Sequence, residues 1–161
     1  MAHPQKVTVE GELGIIGRAD QTTVEAGGEA ALTEPEVAVS FVKETQIDAL
    51  AVSIGDAHGM YRTLPQLDFN RLAKLHAGVL AAHVLHGGSG TPPEDLRRAI
   101  SLGIAKVNVA SELVNALRQT LLDQWGARQN LWVPLAQAAA IKATAQVAEK
   151  WLQLTGAAGR A

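Results

Sequence analysis

Short apolar segments alternate with longer amphipathic ones along this chain, and that alternation restricts its fold more than any other feature. Val7-Thr8-Val9 leads into Glu10-Gly11-Glu12-Leu13-Gly14, and Asp48 to Ile54, Val79 to Leu85 and Ala105 to Val109 follow as further apolar runs. Near-continuous runs of this length are the pattern of strands buried on both faces. Strands separated by helical stretches predict an α/β fold, a parallel sheet covered by helices.

Two architectures fit the order βαβαβαβα plus a terminal helix: an open doubly wound sheet, or part of a (β/α)8 barrel. In both, function collects at the C-terminal ends of the strands. Glu12, His58, His86 and Asn108 each stand at or just beyond such an end. A whole barrel takes about 250 residues. The 161 residues here suit a single domain, and four βα units would be half a barrel.

Helix boundaries carry their own signals. Thr33-Glu34-Pro35-Glu36 and Thr91-Pro92-Pro93-Glu94 read as capping boxes with proline just inside the helix. Asp68 reads as the cap of a helix over Phe69 to Ala77, and Gly103 as the residue that ends the helix before it. Ser111 opens a helix reaching about Trp125, and Pro134 begins a last one ending near Gly156. Trp125, Trp132 and Trp151 read as packing residues.

The balance of 14 basic against 16 acidic residues gives a net charge of −2. Nucleic acids and acidic membranes call for clustered Lys and Arg, so neither is an expected partner. The polar N-terminus has no signal core, and no apolar run approaches the ~20 residues that span a bilayer. A cytoplasmic protein is expected. With no cysteine in the chain, any metal must use His, Asp or Glu.

His58 and His86 come from consecutive units, and each is followed at once by glycine. Neutral imidazoles held at strand ends suit a catalytic zinc, with Glu12 as a third donor; each alone also reads as an ordinary polar loop residue. Gly87-Gly88-Ser89-Gly90 offers backbone N–H groups and a hydroxyl, the donors a phosphate needs. Asn108-Val109-Ala110-Ser111 repeats that offer at the next strand end. His86-Gly87-Gly88 also matches the oxyanion-hole motif of esterases. Their G-x-S-x-G elbow is absent, because position 91 is Thr rather than Gly. His83, inside an apolar strand, reads as a core histidine or a local destabilising change.

The motifs Val9-Glu10-Gly11-Glu12-Leu13-Gly14, Ile54-Gly55-Asp56-Ala57-His58-Gly59, Leu85-His86-Gly87-Gly88-Ser89-Gly90 and Val107 to Leu113 stand in an order and spacing that resembles the class II aldolases. The tagatose-bisphosphate branch looks closest, and the fructose-bisphosphate enzymes share the motifs. The similarity runs from about Val7 to the tail and is weakest between Arg118 and Lys150. The resemblance implies a TIM-type (β/α)8 barrel, of which this chain would be units five to eight.

By that resemblance, His58 and His86 are two of three zinc ligands, and Glu12 serves an alternative metal position. Gly59, Gly87, Gly88, Ser89, Asn108, Val109, Ala110 and Ser111 would hold a dihydroxyacetone phosphate moiety, with a monovalent cation (Na+ or K+) assisting. The implied reaction is reversible cleavage of a ketose 1,6-bisphosphate into dihydroxyacetone phosphate and glyceraldehyde 3-phosphate, with zinc polarising the ketone.

The departures from the family pattern matter as much. The family's proton-abstracting Glu corresponds to Asp20, and Arg18 replaces the second glycine of a Gly-Gly pair. Asp56 replaces a small residue, placing a new carboxylate near the implied metal. Ala81-Ala82-His83 stands where the family strand has proline and apolar residues. No Asp-His dipeptide occurs, although the family draws its third zinc ligand and a proton donor from one. Little or no activity is therefore expected of the isolated chain. A homo-oligomer or a complementary N-terminal half is the expected partner. A non-catalytic sugar-phosphate-binding or regulatory subunit is the alternative.

Overall fold

Four strands, β1 (Glu10–Leu13), β3 (Ala49–Val52), β5 (Ala82–Leu85) and β6 (Ile104–Val107), form one all-parallel sheet in the order β1-β3-β5-β6. A two-residue parallel ladder joins β2 (Gly17–Arg18) to β4 (Ala57–His58). The computed structural model describes residues 2–15, 17–18, 32–58, 65–126 and 132–160, with backbone alone at 17, 18, 57 and 58. Three helices connect the strands: α1 (Pro35–Thr45), α2 (Phe69–Gly78) and α3 (Pro93–Ser101). Two more follow, α4 (Ser111–Gly126) and α5 (Val133–Leu154). The chain forms two compact units, Met1–Asn108 and Val109–Ala161.

Register and the two-residue period of a strand sort the first unit's side chains into two faces. Glu10 pairs with Ala49 and Glu12 with Ala51; Ala51 pairs with Val84, and Val84 with Lys106. These residues share one face. Leu50, Val52, His83 and Leu85 take the other face and are buried, as are Leu72 and Leu75 of α2 and Leu96 and Ala99 of α3. Each fully buried Leu or Val contributes about 1.5–3 kcal/mol, so this apolar layer dominates the unit's stability.

Helix starts depart from the expected pattern in an instructive way. Asp68 caps α2 as expected, its Oδ1 accepting from the Arg71 N–H at 2.9 Å. The two Thr-x-x-Glu sequences do not make capping boxes. Thr33 instead turns its hydroxyl to the strands: Oγ1 donates to the Leu13 carbonyl and accepts from the Ser53 N–H at 2.8 Å. Its own N–H donates to the Ser53 carbonyl at 2.9 Å, so one buried side chain ties the ends of β1 and β3 together. Thr91 is buried, and its hydroxyl has no partner among the described residues. Strand ends left polar groups to satisfy, and they outcompeted the helix N–H groups for Thr33.

Other boundaries moved inward. The first strand starts at Glu10 rather than Val7, because the Val9 N–H donates to the Asp48 carboxylate at 2.7 Å instead of joining the ladder. Gly103, at φ 109, ends the turn after α3 as predicted. It also lies against His76, whose ring fills the space a Cβ would need.

In the second unit α4 and α5 pack as an antiparallel pair, since the indole N–H of Trp151, near the end of α5, donates to Glu112 at the start of α4 at 2.9 Å. Trp151 is thus a packing residue, as expected. Trp125 and Trp132 are not, being 42% and 71% exposed. Among the described residues no helix is long and apolar enough to cross a membrane.

Candidate active site

The sheet face that carries Glu10 and Glu12 also carries the chemistry. His86 follows β5 directly, and its Nε2 lies 3.1 Å from Glu10 Oε1 while its Nδ1 lies 3.4 Å from Glu12 Oε2. The Lys106 ammonium donates to the other oxygen of Glu10 at 2.7 Å. The Lys106 hydrogen bond, with a smaller contribution from His86, holds the Glu10 carboxyl below the usual range despite its partial burial. Glu10 thus stands as an acceptor between the Lys106 ammonium and the His86 ring.

Asp56 completes this side of the sheet beyond β3. It is only 2% exposed, and burial pushes its carboxyl up to about 6, against hydrogen bonds from Ile54 and its own backbone that pull it down. The His86 ring also lowers it and the Glu12 carboxylate raises it, which places Asp56 within the electrostatic reach of both. Its Oδ1 accepts from the Ile54 N–H at 2.9 Å, and its Oδ2 has no partner among the described residues.

The glycine loop is built differently from expectation. Gly87 and Gly90 adopt φ of 61° and 86°, the left-handed region that lets the chain turn at once from β5 toward α3. Ser89 is buried within this turn. The Gly88 N–H, expected as a free phosphate donor, donates instead to the Asn108 carbonyl at 3.2 Å. The Asn108 N–H in turn donates to the Leu85 carbonyl at 2.9 Å. Those bonds extend the β5–β6 ladder past the strands and hold the loop against Asn108. Val109, Ala110 and Ser111 belong to the second unit, where Ser111 is the first residue of α4.

His58 lies in β4, its backbone paired with Arg18. Its side chain, along with Asp20 and Gly59, lies outside the described residues. Sequence reasoning missed Glu10 and Lys106. Their signals were present: Glu10 shares a face with Glu12 by the two-residue period, and Lys106 is the one charge in an otherwise apolar run. His83 is on the opposite face, buried beside His76 with ring centroids 5.7 Å apart. It is a core histidine with its Nε2 unpartnered among the described residues, not part of the site.

The profile of the family described as "Fructose-bisphosphate aldolase class-II" matches residues 1–160. The chain belongs to the class II fructose-bisphosphate aldolase family. It is similar to the YdjI aldolase from Escherichia coli at 34% identity and a TM-score of 0.81, covering 99% of this chain and 53% of that one. A putative fructose-1,6-bisphosphate aldolase from Coccidioides immitis shares 28% identity at a TM-score of 0.84, covering 98% of this chain and 55% of that one. The fructose-bisphosphate aldolase of Campylobacter jejuni has the same fold, with a TM-score of 0.68 at 19% identity over 96% of this chain and 53% of that one. The chain thus spans about half the length of the solved structures it matches. Its parallel strands and alternating helices correspond to about half of an aldolase barrel.

Zinc is the metal implied by the family, and the described donors can be tested against it. The 3.4 Å from His86 Nδ1 to Glu12 Oε2 is long for a hydrogen bond. It is close to the edge of a tetrahedron with metal–ligand distances of about 2.0–2.2 Å. Imidazole and carboxylate are also the right ligand types. Among the described residues no group of three or more His, Asp or Glu is placed to hold an ion. The described donors fit zinc in kind and spacing, as part of a ligand set.

Proposed function

We propose that this chain supplies the His58, His86 and Glu12 side of a zinc-dependent site for reversible aldol cleavage of a ketose 1,6-bisphosphate. The products are dihydroxyacetone phosphate and glyceraldehyde 3-phosphate. The observation that carries the reading is the seat of His86, at a strand end between two carboxylates, in a chain of the class II aldolase family. Bound zinc supplies Lewis-acid polarisation of the ketone oxygen.

The chain's own residues would do the remaining work. His86 and Glu12 offer donors on one side of the sheet, and His58 is the second imidazole. The turn of Gly87, Gly88 and Ser89, with Asn108, would seat the phosphate, a monovalent cation helping to balance its charge. Because the Gly88 N–H is engaged with Asn108, it would bind phosphate only after giving up that long bond. Asp20 would take the proton-abstracting position. The ketose is tagatose or fructose 1,6-bisphosphate, with the motifs standing closer to the tagatose-bisphosphate branch.

A complementary N-terminal half would supply the missing Asp-His pair, whereas a second copy would close a pseudo-barrel without it. The test is zinc content together with cleavage of both bisphosphates by purified protein at several concentrations, alone and with a separately produced N-terminal half. Little turnover by the dilute chain, and zinc-dependent turnover once the other half is present, is the expected result. A folded protein that takes up no zinc and cleaves neither sugar under any of these conditions would sink the reading.

A further inference from the structure

We propose that Glu10 and Lys106 are a positioning pair that holds the His86 ring in one tautomer and orientation, with Nε2 protonated and Nδ1 turned to Glu12. This deepens the reading above, and a metal at His86 rests on that reading. The orientation of the ring does not.

Two contacts meet at Glu10. Its Oε1 faces His86 Nε2 at 3.1 Å, and its Oε2 accepts from Lys106 at 2.7 Å. Both of its oxygens are engaged, so the carboxylate cannot rotate without breaking a charge-assisted bond. A carboxylate has no proton to give, so the imidazole must donate through Nε2. The lone pair of a neutral ring then lies on Nδ1, the nitrogen that faces Glu12 across 3.4 Å. A protonated ring would donate to both carboxylates; a neutral one turns the Nδ1 lone pair to Glu12, where a metal would sit.

Metal-binding histidines commonly donate their second N–H to a carboxylate, which fixes the ring and raises its basicity. Glu10 would do this for His86, and Lys106 would do for Glu10 what Glu10 does for the ring. Neither residue touches substrate in this scheme. Both act through His86.

The experiment reads the His86 nitrogens directly. Long-range proton–nitrogen NMR on the metal-free, full chain at pH 9, where an imidazole is ordinarily neutral, should show Nε2 protonated and Nδ1 without a proton. Glu10→Ala should abolish that preference, and Lys106→Met should weaken it while Lys106→Arg restores it. Zinc affinity, measured by competition with a chromophoric chelator, should fall about 10–100-fold in Glu10→Ala, with a smaller loss in Lys106→Met. Circular dichroism reports folding; should Glu10→Ala fail to fold, the exposed Lys106 variants carry the test. Protonated Nδ1 in the parent chain, or an unchanged ring in the folded variants, would overturn the proposal. The expected ring state in a chain that turns over no substrate even with the N-terminal half present would uphold the positioning pair and count against the aldolase reading alone.

Discussion

The Lys106 ammonium lies 2.7 Å from the Glu10 carboxylate, a bond between the two outermost strands of the four-stranded sheet. Three strand spacings of about 4.8 Å separate those strands, so the two side chains reach across the sheet face to meet. Its stabilising value is small, because the Lys side chain is 53% exposed and solvent screens the charge. Lys106→Met should lower unfolding free energy by less than about 1 kcal/mol in urea melts. A larger loss would mean that the pair governs folding rather than the ring of His86.

Thr33 is expected to matter more than its size suggests. Thr33→Val keeps the shape but leaves the Ser53 N–H and the Leu13 carbonyl without this partner. Unfolding free energy should fall by about 1–3 kcal/mol, with Thr33→Ser retaining most of it. Equal stability of the Val and Ser variants would show the hydroxyl to be idle.

Asp56 should cost stability at neutral pH. Its carboxyl holds a proton up to about 6 in the folded chain, against an ordinary value of 3.8. The folded state therefore binds more protons in that window, and stability falls as pH rises through it. Asp56→Asn removes the charge. Its advantage over the parent should be absent below about pH 4 and reach at most about 3 kcal/mol above pH 6. Chemical melts with a chelator present, at pH 4.5 and pH 8, would show it; parallel pH profiles for the two proteins would contradict it.

His83 acts in the opposite direction. Burial, with His76 nearby, holds its imidazole below the ordinary value, and its bond with the Leu75 backbone opposes this only in part. The unfolded chain then takes up the proton first. Stability is intact above the unfolded value of about 6.5 and is lost as pH falls below it. The contribution to the slope is at most about 1.4 kcal/mol per pH unit. His83→Leu should flatten the melting profile between pH 7 and pH 5, and an unchanged slope would place the acid sensitivity elsewhere.

Gly103 and His76 should prove coupled. Gly103→Ala forces a Cβ into the His76 ring at a φ of 109°, costing about 2–4 kcal/mol. Adding His76→Ala clears the ring but not the backbone strain, so the double variant should regain part of the loss. Strict additivity of the two substitutions in denaturant melts would deny the contact.

Much of the fold was legible because it rests on patterns the chain carries locally. The Asp68 cap, the Gly103 stop and the apolar runs of β3 and β5 each need only nearby residues. The failures involve partners distant in sequence. Thr33 was read as a cap because the competing groups, on Leu13 and Ser53, lie 20 residues away on either side. The β2–β4 ladder is too short to leave a period. Glu12 was singled out and Glu10 passed over, because the Lys106 bond that gives Glu10 its place spans 96 residues. The Gly88 N–H looked free for the same reason, since its acceptor belongs to the following strand end.

His83 and His86 are three positions apart and face opposite ways, one into the layer beneath α2, the other between Glu10 and Glu12. Spacing by an odd number is what separates them. One inserted residue between them would bring both imidazoles to the same side and leave either the apolar layer or the carboxylates without a ring. Residue count in this short stretch is therefore itself a determinant of chemistry, and length changes there should be harder to tolerate than most substitutions.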